Sequence, residues 1–163
     1  MQHMGFSIWG TVVLALVLAP NVVWVLAPPV DTPPPTAHPR RLVVLERAGQ
    51  VGCVAAMPFV GSHLTPGSAP VWSGGVVLCV AVYTGLWLRF ARRGRRHRWL
   101  FEPWGPVVVP MAVMPAATFA MVAAAGRSVP LGVAAAVFAA GHLPVSLLTW
   151  RAVRLSAPTA PVP

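Results

Sequence analysis

Five apolar stretches dominate the chain, separated by short polar or proline-rich segments. They cover positions 7–27, 42–61, 71–90, 105–125 and 131–150. Each holds about the 20 residues that an α-helix needs to cross bilayer hydrocarbon. The pattern therefore predicts an all-α bundle of five transmembrane helices in one membrane domain, 1–155, with a disordered cytoplasmic tail at 156–163. Positions 1–6 carry no Lys or Arg, and the apolar run behind them is longer than a signal-peptide core, so the first stretch is expected to be a retained span. Pro20 should kink it. Behind it, positions 28–39 read PPVDTPPPTAHP, too rich in proline for helix or sheet and suited to a stiff extended connector.

The second stretch is the least regular. Glu46, Arg47 and Gln50 lie near its start, and its unbroken apolar run covers only 51–60. Arginine placement favours a crossing. Short loops keep their basic residues on the cytoplasmic side, and with five spans every arginine except Arg127 falls there. With four, the proline-rich loop and its arginines move outside. The expected orientation is amino terminus outside and carboxyl terminus inside. The basic run Arg92, Arg93, Arg95, Arg96 and Arg98 fixes the cytoplasmic loop and is expected to contact anionic phospholipids. Glu102 is its expected counter-charge, and Trp99, Phe101 and Trp104 form an aromatic belt beside it. Trp72 and Trp87 are expected at the two interfaces of the third span. In the fourth, Pro106 suits a first turn, whereas Pro110 and Pro115 should bend the helix.

Composition agrees. Of 163 residues, 56% are hydrophobic and 9% charged, so the water-exposed surface of a soluble domain is missing. The net charge of +9 is explained by topology, and nucleic acid is not an expected partner. All basic residues are arginine, and Ala, Val, Gly and Pro are abundant, the mark of a G+C-rich bacterial genome. The expected location is a bacterial plasma membrane. Cys53 and Cys79 show no metal-type spacing and are expected to be apolar packing residues. His3, His38, His63 and His97 fall in segments expected to face water. No cofactor or metal site is expected, because Asp31, Glu46 and Glu102 are the only carboxylate side chains.

Polar residues inside hydrocarbon need partners, so their depths are informative. Glu46, Gln50, Cys53 and Met57 form one helical stripe on the second span, and His142, Ser146 and Thr149 form another on the fifth. At about 1.5 Å per residue, Asn21, Gln50, Tyr83, His142 and Ser146 lie roughly 8 to 14 Å from the cytoplasmic ends, with Glu46 shallower. These six residues make a ligand or proton site opening to the cytoplasm one expectation. In it, His142 exchanges protons or holds a ligand and Glu46 supplies negative charge. Helix-to-helix hydrogen bonding without a pocket is the other.

Two resemblances accompany these residues. Asn21, Pro28-Pro29, Leu45-Glu46-Arg47-x-Gly49-Gln50-x-Gly52, Pro110-Met111-Ala112-Val113-x-Pro115 and Gly141-His142-x-Pro144-x-Ser146 together resemble a group of small uncharacterised five-span bacterial membrane proteins. The likeness implies the topology and no activity. Phe138-x-x-x-His142 is similar to the second motif of CAAX-type intramembrane endopeptidases, whose site needs a Glu pair and two His, whereas only Glu46 and His142 are available here. The expected role is a non-enzymatic accessory or interaction subunit of a membrane complex, with a membrane-protein partner or a second copy bound. Small-molecule, lipid or proton binding and transport is the alternative, and intramembrane proteolysis comes third.

Overall fold

The computed structural model describes residues 5–32, 36–60 and 70–155. It is all-helical, with α1 Ile8–Leu26, α2 Arg40–Ala56, α3 Pro70–Arg92, α4 Pro110–Ala125 and α5 Val129–Leu155, and no β-strand occurs among the described residues. Four of these are long and apolar enough to cross a membrane: α1, α3, α5, and α2 together with the 3₁₀ turn Met57–Phe59 that extends it. The fourth helix is shorter than the apolar pattern predicts. It starts at Pro110 and not at 105, because Gly105 takes a left-handed φ of 57° and the backbones of Trp104 and Val107 pair across it at 3.0 and 3.1 Å. Pro110 then opens the helix, where a missing N–H costs nothing. The tail at 156–163 and the predicted outer loop, with His63, lie outside the described residues, as does His3.

Helix ends gather in two sets. At one end the Ser7 side chain caps α1 by accepting from the Gly10 N–H at 3.1 Å, and the Ser7 N–H donates to Pro58 O at 2.7 Å. Val60 lies against Gly126, where α4 turns into α5. That turn is closed by Ser128 N to Ala123 O at 2.8 Å and Arg127 N to Ala124 O at 3.2 Å, with Arg127 in the left-handed conformation at φ 49°. At the opposite end α3 closes the same way, with Gly94 left-handed at φ 76° and Arg95 N bonded to Phe90 O at 3.1 Å.

The main core takes side chains from all five helices, among them Leu14, Cys53, Val76, Phe119 and Phe138. A second cluster, Tyr83, Trp87, Phe90 and Leu100, joins α3 to the turn before α4. Its rings meet edge to face at 6.4 Å for Tyr83–Trp87 and 5.5 Å for Trp87–Phe90. Trp87 is thus a core residue and not an interfacial anchor, because its helix face turns toward α4. Cys53 and Cys79 are buried free thiols, as packing residues should be. His97 is a further correction. It is buried, with its ring tilted against Phe101 at 5.1 Å and edge-on to Trp24 at 6.3 Å. Its burial follows from docking of the segment after α1: Val30 N bonds Arg95 O at 3.0 Å, and Asp31 accepts from the His97 N–H.

Candidate functional site

The α2–α5 seam is the most extensive helix contact in the molecule, and small residues make it possible. A Cβ at Gly49 would lie 2.2 Å from Phe138 N, and one at Gly141 would lie 2.2 Å from Glu46 N. Only glycine lets the two backbones approach this closely. The approach positions the one acid–imidazole pair of the seam. His142 Nδ1 and Glu46 Oε1 are 2.8 Å apart, with Nδ1–H donating to the carboxylate. The imidazole stacks on Phe138 one turn away, at 4.6 Å and 16° between ring planes. Phe138 therefore fills the space that Gly49 leaves and also holds the His142 ring flat.

Nearer the arginine-rich end the seam carries a second polar bridge. The Thr149 hydroxyl donates to Val145 O at 3.0 Å, so it accepts from His38 Nε2 at 3.3 Å. Hydroxyl bookkeeping decides this direction, since one O–H proton serves one acceptor. His38, expected to face water, is half-buried. The periodic stripe marked Thr149, but no spacing could link it to a residue 111 positions away.

Of the six predicted site residues, the structure brings Glu46 and His142 into contact. Gln50 and Ser146 lie on the same two helices, half-buried and buried. Asn21 lies on the exposed side of α1, and Tyr83 is packed into the α3 aromatic cluster. Two concavities lie elsewhere. One is an apolar groove of about 750 Å³ between α4 and α5, lined chiefly by Ala117, Ala120, Ala124, Gly132 and Ala136. Another is a cleft of about 320 Å³ between the basic turn and the end of α5. Neither is lined by Glu46 or His142. Among the described residues no three His, Cys, Asp or Glu side chains gather as a metal site would need.

The basic run is partly ordered by its neighbours. Glu102 pairs with Arg89 at 3.2 Å and Arg93 at 3.3 Å, as its expected role requires. The guanidiniums of Arg93 and Arg98 each lie 4.7 Å from the Trp99 ring centre. Arg92, Arg95 and Arg96 share the same turn. Among the titratable groups there, burial lowers the His97 imidazole below its ordinary value, and the Asp31 carboxylate partly offsets the effect.

No family model matches the chain, and no curated protein or solved structure is significantly similar to it.

Proposed function

We propose that this chain is a non-enzymatic, multi-span protein of a bacterial plasma membrane, an interaction subunit that holds another membrane helix against α4 and α5. In this reading all five helices cross, with the amino terminus outside and the arginine-rich end in the cytoplasm. The 16-residue α4, about 24 Å long, spans by local thinning of the bilayer around it.

One observation carries the reading: the Glu46–His142 and His38–Thr149 pairs are turned on one another, while the groove between α4 and α5 is apolar. Glu46 meets His142, His38 meets Thr149, and Thr118 donates to its own helix at Met114 O, 2.8 Å away. A transport or reaction site needs polar groups facing an opening. The α4–α5 groove offers alanines and glycine instead, the residue types that let a transmembrane helix approach closely. A partner helix or a second copy of the chain fits that surface.

The test uses cysteines at Ala120 and Ala136 in a background with Cys53 and Cys79 replaced by Ser, cross-linked in native membranes. A defined adduct at either position, lost when the other is changed to Trp, is expected. Full labelling by a lipid-soluble maleimide without any adduct would sink the proposal.

The Glu46 and His142 side chains keep 22% and 23% of their surface exposed, which favours a second reading in which the pair binds a proton or a small polar ligand. Proteoliposomes decide that reading. A pH-dependent current lost in Glu46→Gln and His142→Ala would establish it, and a current equal to that of empty liposomes would remove it.

A further inference from the structure

We propose that the cleft between the basic turn and the end of α5 is a discrete site for a phosphate group, the headgroup phosphate of an anionic phospholipid in the adjoining leaflet. The inference rests on the membrane reading above but not on the association it assigns.

Two arginines from distant parts of the chain converge there. Arg98 comes from the turn after α3 and Arg154 from the last turn of α5, and both line the cleft of about 320 Å³. Each is held by an aromatic face: Arg98 lies 4.7 Å from the centre of Trp99, and Arg154 lies 4.6 Å from that of Trp150. Stacking occupies the face of a guanidinium and leaves the N–H groups at its edge to donate. Those edge donors match phosphate oxygens, and a pre-ordered guanidinium loses less entropy on binding than a free one.

Among the described residues, carboxylate bookkeeping leaves both arginines without an acidic partner. The chain has three acidic side chains. Glu46 is bonded to His142, Asp31 accepts from His97, and Glu102, which also lines the cleft, is shared by Arg89 and Arg93. Arg89, Arg93, Arg98 and Arg154 thus surround a single carboxylate, and the cleft stays strongly positive. An anion entering it meets Glu102 with its charge already balanced.

Depth selects the lipid. At 27 residues α5 is about 40 Å long, longer than the hydrocarbon is thick, so its final turns reach the headgroup layer. Trp99 and Trp150 are the side chains favoured at that level, and Phe101, Pro103 and Val153 give the cleft an apolar wall for the start of an acyl chain.

The experiment uses the full chain, purified and delipidated in zwitterionic detergent, titrated with an anionic phospholipid, phosphatidylglycerol, and separately with inorganic phosphate. Tryptophan fluorescence and native mass spectrometry give the readout. The expected result is saturable 1:1 lipid binding, weakened at least about tenfold in Arg98→Ala/Arg154→Ala. Arg40→Ala/Arg41→Ala, which removes the same charge outside the cleft, should weaken it less than about twofold. Arg98→Lys/Arg154→Lys should fall between, since charge is kept and the planar fork is lost. Saturation by inorganic phosphate at equal affinity would overturn the lipid source and leave a soluble phosphate compound as ligand. Equal loss in both alanine pairs, or binding that never saturates, would overturn the site itself and reduce the attraction to diffuse charge. Since neither result depends on cross-linking at Ala120 or Ala136, failure here and failure of the association reading are separable.

Discussion

At the scale of single residues, glycine placement governs the seam. Gly141→Ala puts a methyl 2.2 Å from Glu46 N and 2.7 Å from Leu42 O, neither of which can yield, so the helices must part. A loss of about 2–3 kcal/mol is expected, read as a lower unfolding temperature in detergent. Gly74→Ala, where nothing lies within 4 Å, is the control and should be neutral or slightly stabilising. If both variants melt alike, the close approach is not what holds α2 to α5. In the membrane reading the Glu46–His142 pair is expected to be weaker than its 2.8 Å suggests, because helices parted within a membrane find other partners. A double-mutant cycle on Glu46→Gln and His142→Ala should give a coupling of about 1 kcal/mol, and a coupling of zero would show the contact to be incidental. Much of this pair was legible beforehand. The polar stripes marked Glu46 and His142 as members of one candidate site, with Glu46 the shallower, and the structure added their direct contact. Asn21 and Tyr83 have similar depths but face other ways, and depth says nothing about rotation about a helix axis when both sides of the helix are apolar.

At the scale of elements, the docked segment after α1 is the feature that sequence reading missed. A proline-rich run has no periodicity, so nothing in it announces that Asp31 will accept from His97 or that Val30 will bond Arg95. The docking has a pH signature. Burial lowers the His97 pKa in the folded state below its ordinary 6.5, so the folded protein binds fewer protons than the unfolded chain between those two values. This contribution to stability is complete above about pH 6.5 and is lost progressively as pH falls toward the lowered value. The melting temperature should therefore fall between pH 7 and pH 5 more in the wild type than in His97→Gln, and parallel curves for the two would discard the assignment. Helix α4 teaches a related lesson. Its apolar residues start well before Pro110, and composition cannot tell an apolar loop from a first helical turn. The left-handed Gly105 and the Trp104–Val107 pairing set the boundary, and Pro106 falls in the loop.

At the scale of the whole molecule, the charge distribution is the basis of the proposed orientation. Every arginine but Arg127 lies toward one set of helix ends, and Arg127 closes the turn at the other. Single cysteines at Ser128, Thr36 and Arg95, in a background lacking the native thiols, should react with an impermeant reagent in intact cells at Ser128 alone. Labelling at Thr36 would mean that α2 does not cross, and labelling at Arg95 would invert the bundle. The sequence by itself determined the helical class, the approximate positions of the apolar helices, the asymmetry of charge and the pairing of Glu102 with its neighbouring arginines. These follow from length, hydropathy and short-range Coulomb attraction, which need no knowledge of rotation or packing. Only the tertiary structure decided which polar residues meet, where α4 begins, that His97 and Trp87 are buried, and that Arg98 and Arg154 share a cleft. Each of those depends on how apolar helices turn toward one another, and the shape of the facing side chains, above all Gly49 and Gly141 against α5 and α2, chooses among faces that hydropathy leaves nearly equal.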